Sequence, residues 1–218
     1  MSDAHALPER VQTVREEIAN AVSHGVGLLL AMIAALVLVA NAVQRGGVAG
    51  IVSATIFGAT LVLAYLTSTL YHALPLNRAK RIFRTLDHGA IFLLIAGTYT
   101  PFMLGPLRGT WGWTLLGLVW ALALAGVVFK AVGGLRHPKF STCLYIAMGW
   151  LVIVAIEPLR LNLPISGFYW LLAGGIAYTA GVAFFAPKRL RYSHFVWHLF
   201  VLAGSACHFV AVLWYVAE

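Results

Sequence analysis

The sequence predicts an all-α fold in which seven apolar helices pack as a transmembrane bundle. Three observations carry this reading. Of 218 residues, 61% are hydrophobic and only 10% charged, whereas soluble domains average about 45–50% apolar and about 25% charged. Apolar runs long enough for roughly 20 residues per bilayer crossing recur at about 30-residue spacing. The basic residues fall almost entirely in alternate breaks between those runs. Together these exclude an ordinary soluble enzyme, a disordered chain and a disulfide-rich secreted module.

The runs lie at 21–43, 48–74, 88–106, 111–131, 141–157, 166–186 and 193–216. In lipid every backbone N–H and C=O must pair within its own segment, so each run is a helix. The short alternating segments of an outer-membrane barrel are absent. Arg45-Gly46-Gly47, Pro75, Gly105-Pro106, Gly133-Gly134, Pro138, Pro158, Pro164 and Pro187 punctuate the breaks. Residues 1–20 then form a cytoplasmic tail and 21–217 a single membrane domain. Within the tail and first run, Val11, Val14, Ile18 and Val22 make one apolar helical stripe. It either extends the first span or forms a short helix on the membrane surface. The acidic residues before the first run, and its length, argue against a cleaved signal peptide. Cys143 and Cys207 sit apart in apolar runs and read as inert thiols.

The net charge of +8 has a topological explanation. The tail and the second, fourth and sixth breaks hold all the Lys and Arg except Arg45, Arg108 and Arg160. Basic residues stay cytoplasmic, so the N-terminus lies inside and the C-terminus outside. Trp111, Trp113, Tyr169, Trp170, Trp214 and Tyr215 fall at the outer interface, where aromatics concentrate. The basic balance therefore serves orientation and anionic lipid headgroups, and no nucleic-acid partner is expected.

No Asp, Glu, Lys or Arg lies in the middle of a run, so histidines and hydroxyls are the candidates for function. Ser68 and His72 are four residues apart and share a helix face. His194 and His198 repeat that spacing, which lets two imidazoles on one helix hold one ion. Asp87-His88 opens the third run. His72, Asp87, His194 and His198 thus fall at one depth near the cytoplasmic ends of their helices. Three imidazoles with an open fourth position describe a catalytic zinc site. Zn2+ held by His72, His194 and His198 would leave Asp87 to handle the proton of a zinc-activated water, with Ser68 beside it. Each histidine alone reads equally as a hydrogen-bonded structural residue. His24 is a fourth-ligand or supporting candidate. His208 lies too far along its helix to reach the same ion, and His5 and His137 read as solvated.

Glu17-x-x-Asn20-x-x-Ser23-His24, Ser68-x-x-x-His72, Asp87-His88-Gly89 and His194-x-x-x-His198, in this order over nearly the whole chain, resemble the haemolysin III and progestin/adipoQ receptor family. Ser23 stands where receptor members usually carry Thr, and Thr13 where their motif has Pro. The resemblance implies a bacterial member of the family, seven helices with the N-terminus inside, and zinc on His72, His194 and His198, with Asp87 and Ser68 near its water. It also implies a link to lipid-amide hydrolysis and to membrane-lipid or energy homeostasis. The expected function is a zinc-dependent hydrolase of a lipid amide or ester in the bacterial inner membrane, with a membrane lipid as substrate and room for homo-oligomers. The alternatives are a non-enzymatic sensor with structural zinc and a haemolysin-type pore former. The motifs assign no role to Glu17, Asn20, His24 or His88.

Overall fold

A computed structural model describes residues 11–45, 47–133, 135, 137–185 and 190–216. His5, Arg10, Gly46, Gly134, Arg136, Pro187, Lys188 and Arg189, used above in reading the sequence, lie outside the described residues. Among the described residues all regular structure is helical. The elements are α1 (Val14–Arg45), α2 (Val48–Ala73), α3 (Arg78–Leu104), α4 (Thr110–Ala131), α5 (Pro138–Gly149), a 3-10 turn (Leu151–Ala155), α6 (Ile156–Asn162), α7 (Ile165–Phe185) and α8 (Ser193–Tyr215). Six segments are long and apolar enough to cross a membrane: α1, α2, α4, the broken segment Pro138–Asn162, α7 and α8.

The run at 21–43 sits inside one unbroken helix that begins at Val14. Val14, Ile18 and Val22 of the apolar stripe therefore extend the first span, Val11 lies just before it, and no separate surface helix forms among the described residues. A reciprocal cap starts it: the Thr13 N–H and hydroxyl donate to Glu16 Oε2 at 2.9 and 2.8 Å, and the Glu16 N–H donates back to Thr13 Oγ1 at 3.4 Å. This is a Thr-x-x-Glu capping box. At 32 residues the helix is about 48 Å long, so its first turns project beyond a hydrocarbon core of about 30 Å. That projection lets Glu16, Glu17 and Asn20 occupy the bundle's end without facing lipid.

α3 begins ten residues before the expected start of its run. Asn77 caps it by accepting from the Lys80 N–H at 2.9 Å, and the Arg- and Lys-rich turn between cap and apolar run consists of good helix formers. Asp87 and His88 consequently lie in the third turn rather than at a helix end. α3 packs between α2 and α4 and touches α5 and α8. Its hydroxyls turn inward and bond their own backbone, Thr98 to Leu94 O and Thr100 to Ala96 O. Because its neighbours enclose so much of it, α3 carries more polar residues than the six apolar segments.

The run at 141–157 is not one helix. It breaks after Gly149 into the 3-10 turn and α6. A break at membrane depth must find partners for its freed backbone groups. Tyr99 of α3 supplies them: its hydroxyl lies 2.9 Å from Met148 O and 3.0 Å from Gly149 O, and accepts from the Val152 N–H at 2.8 Å.

α7 and α8 form a close hairpin. The buried residues of α7 are three glycines spaced by seven, Gly167, Gly174 and Gly181, which lie on one stripe. A Cβ at these positions would stand 2.6–2.7 Å from Tyr215, His208 and Phe200 respectively, so their absent side chains seat the larger residues of α8. Elsewhere the core is closed by Phe57, Phe92, Leu61, Leu38 and Val119, all at most 2% exposed. Trp111, Trp113, Tyr169 and Trp214 are exposed at the start of α4, the start of α7 and the end of α8, one end of the bundle.

Candidate metal centre

The opposite end holds the histidines. α2 delivers His72 from its last turn, and α8 delivers His194 and His198 from successive turns of one face. One ligand nitrogen from each lies within 4.8 Å of the others. The ring centroids are 5.0 Å apart for His72–His194, 5.1 Å for His72–His198 and 4.6 Å for His194–His198. His72 and His198 are buried and His194 is half-buried.

The first turns of α1 organise this cluster. Glu17 Oε2 accepts from His72 Nδ1 at 2.8 Å, while its other oxygen pairs with Lys80 Nζ at 3.1 Å. His198 Nδ1 lies 3.2 Å from Asn20 O and 3.0 Å from Ser23 Oγ, and that hydroxyl itself donates to Asn20 O at 2.9 Å. A carboxylate and a carbonyl only accept, so both imidazoles carry their proton on Nδ1 and present Nε2 as a lone pair. His72 Nε2 is buried with no hydrogen-bond partner. A buried polar atom without a partner costs about 1–3 kcal/mol, and a metal ion would relieve it. Outer-sphere acceptors on the far nitrogen are the usual support for metal-bound imidazole. The residues present therefore fit a divalent, nitrogen-binding ion.

The remaining predicted residues converge here as well. Ser68 is buried, and its hydroxyl lies 2.7 Å from His24 Nδ1. His24 stacks on His198 with centroids 3.4 Å apart and planes 9° from parallel, and its Nε2 is also buried without a partner. Asp87, reached from the third turn of α3, has Ser68 and His72 as polar neighbours. His88 is held differently: its carbonyl accepts from the Tyr145 hydroxyl at 2.7 Å. His137 precedes α5 and lies away from the cluster against Phe129.

The sequence reading did not assign Glu17, Asn20 and Ser23 a role. Their three-residue spacing puts them on one face of α1, and two carboxylates and an amide within one turn at the start of an apolar helix were the available signal. Glu16, the neighbour, ties α1 to α8 instead, accepting from the Tyr192 N–H at 2.8 Å.

Asp87, Ser68, His24, His194 and His198 together face a cavity of about 190 Å³. It runs up through the bundle between α3, the broken segment, α7 and α8. Leu94, Ile95, Val201 and Leu172 line its middle, and His208 and Phe168 its far part. The site thus combines a histidine cluster that could hold a metal ion, a carboxylate and a hydroxyl at the foot of an apolar chamber.

A family described as haemolysin-III related matches residues 12–209. Hemolysin-3 of Bacillus cereus is 50% identical over 210 residues, covering 96% of each chain. The hemolysin-3 homolog of Bacillus subtilis is 49% identical over 203 residues, 93% of this chain and 95% of its own. The human monocyte to macrophage differentiation factor is 26% identical over 171 residues, 74% of this chain and 69% of its own.

Proposed function

The chain belongs to the haemolysin-III-related family, as a multi-pass protein of the bacterial inner membrane, and from that premise we propose that it is a zinc-dependent hydrolase of a lipid amide or ester. The observation that carries the reading is the His72–His194–His198 cluster, with its buried unpartnered nitrogen, opening on an apolar cavity beside a carboxylate. Three imidazoles with room for a fourth group suit zinc. Zinc, when bound, supplies Lewis-acid polarisation of a carbonyl and a more acidic water.

This chain's own residues do the rest. The apolar lining of the cavity takes the acyl chain and leaves the carbonyl at the histidine end. Asp87 accepts the proton of the attacking water and returns it to the departing nitrogen or oxygen. Ser68, steadied by His24, donates its hydroxyl hydrogen bond to the Asp87 carboxylate and orients it toward that water. Glu17, Asn20 and Ser23 hold the imidazoles in place. We place all seven helical segments across the membrane, α3 being sheltered by its neighbours, with the N-terminus and the site on the cytoplasmic side, as the basic residues require.

A second reading, a sensor with structural zinc, takes support from the unpartnered His24 Nε2 next to His198. Structural zinc is closed by four protein ligands, and His24 is the residue placed to complete that set. One experiment separates the readings. Purified wild-type, Asp87→Asn and His24→Ala proteins are assayed for zinc content and for fatty-acid release from N-acyl and O-acyl lipids. The hydrolase reading expects release by wild type and zinc retained in both variants, with turnover lost in Asp87→Asn. No release by a zinc-loaded wild type, together with zinc loss in His24→Ala, overturns it in favour of the sensor.

A further inference from the structure

His194 is the second residue of α8, in the turn where a helix frays unless its leading N–H groups are engaged. That turn has no side-chain cap of its own. Tyr192, the residue before it, stands at φ 57° and ψ 12°, far from the extended conformation in which a capping side chain reaches a helix start. It is the one non-glycine residue at positive φ among the described residues, a conformation that persists only where the surroundings over-determine it. Phe195, three residues after Tyr192, has no acceptor with which to reach back, as Glu or Gln does in a capping box.

Glu16 supplies the missing acceptor from another helix. Its Oε2 takes the Thr13 N–H and hydroxyl at 2.9 and 2.8 Å and so closes the start of α1. Its Oε1 takes the Tyr192 N–H at 2.8 Å, 176 positions away in sequence, and closes the start of α8. One carboxylate thus does for two helix starts what a capping box does for one, each oxygen on the N–H of the residue that precedes a helix. Glu16 is 3% exposed, so little water competes for these bonds, and its charge lies near the positive ends of both helix dipoles.

We propose that Glu16 is a positioning residue for His194. By pinning the Tyr192 N–H it keeps the first turn of α8 wound, and so keeps a His194 ring nitrogen within 4.8 Å of those of His72 and His198. This rests on the reading of the three histidines as a metal site. The other two rings are held through their own Nδ1 atoms, His72 by Glu17 and His198 by Asn20 O and Ser23 Oγ. His194 differs in lying two residues from an uncapped helix start, so its place depends on that start staying closed.

The test uses the full-length protein in detergent. Glu16→Asp keeps the charge, but its carboxylate is one methylene too short to reach both helix starts. Glu16→Gln keeps the length and offers one acceptor oxygen in place of two. Hydrogen exchange at α8's start is followed by mass spectrometry in zinc-free protein, on the peptide with the Tyr192 and Val196 amides, which bond Glu16 and Tyr192 O. Zinc affinity is measured by competition with a chelator. In Glu16→Asp that peptide should exchange about five- to tenfold faster, the ratio that one capping bond supplies, and zinc affinity should fall by a similar factor. Glu16→Gln should show smaller changes of the same sign. In a His194→Ala background, Glu16→Asp should lower the residual zinc affinity no further, because both act through one ligand. A general loosening of the fold would lower it in both backgrounds. Unchanged exchange at α8's start, zinc affinity indifferent to Glu16, or full additivity with His194→Ala overturns the proposal. Should Glu16→Asp fail to fold, Glu16→Gln in the two backgrounds decides in its place. A wild type that binds no zinc overturns the metal-site reading itself, whereas zinc binding that ignores Glu16 overturns this proposal alone.

Discussion

Glu17 and His72 meet at 2.8 Å, Oε2 on Nδ1, across the α1–α2 interface. The contact joins the first turn of one helix to the last turn of the next, and Lys80 of α3 closes it from the other side at 3.1 Å. Three helices are thus tied at Glu17, beside the imidazole that presents a bare nitrogen to the cluster. The pairing makes Glu17 a positioning residue for His72, a ligand in the proposed metal site.

Replacing Glu17 by Gln should keep the fold but weaken zinc binding by about 10–100-fold, the usual cost of losing an outer-sphere carboxylate. Competition with a chelator of known affinity measures the loss, and circular dichroism checks the helices. Unchanged affinity would show that the 2.8 Å contact does not support the metal site.

The histidines differ in what their removal should do. His72→Ala, His194→Ala and His198→Ala should each strip the protein of zinc during purification, because a two-histidine remnant binds too weakly to survive dialysis. His208→Ala should leave the metal content at the wild-type level. Elemental analysis normalised to protein reads all four.

Tyr99 carries the backbone of the helix break between α5 and α6. Tyr99→Phe removes the hydroxyl that meets Met148 O, Gly149 O and the Val152 N–H, leaving buried backbone groups bare. The expected destabilisation is about 1–3 kcal/mol, read as a drop in Tm in detergent. A Tm equal to wild type would mean that the break finds other partners.

The α7 glycines predict a positional contrast. Gly174→Ala and Gly181→Ala should destabilise by about 1–3 kcal/mol through overpacking, since their new Cβ atoms would stand 2.6–2.7 Å from His208 and Trp197 or Phe200. Gly117→Ala on α4, which has nothing within 4 Å of its Cβ position, should be neutral or mildly stabilising, by up to about 1 kcal/mol. Thermal unfolding of the three variants under identical detergent conditions makes the comparison.

Hydropathy alone determined the helical class, the number of apolar runs and most of their ends, because lipid leaves the backbone no alternative to intrasegment pairing. The i, i+4 spacings Ser68/His72 and His194/His198 likewise marked residues that the structure brings together, since helix periodicity puts such pairs on one face whatever surrounds them. Periodicity within one run says nothing about which runs are neighbours. Only the packing of α1 against α2 and α8 made Glu17, Asn20 and Ser23 supports for His72 and His198, contacts between residues 55 to 178 positions apart. The break after Gly149 was equally invisible, because residues 143–156 on both sides of it carry no charged residue and no proline, and the hydroxyl that makes the break tolerable belongs to α3. The empty faces of Gly167, Gly174 and Gly181 acquired meaning only when α8 came to lie on them. In each case a local pattern listed the groups, and the close approach of distant helices decided which of them met.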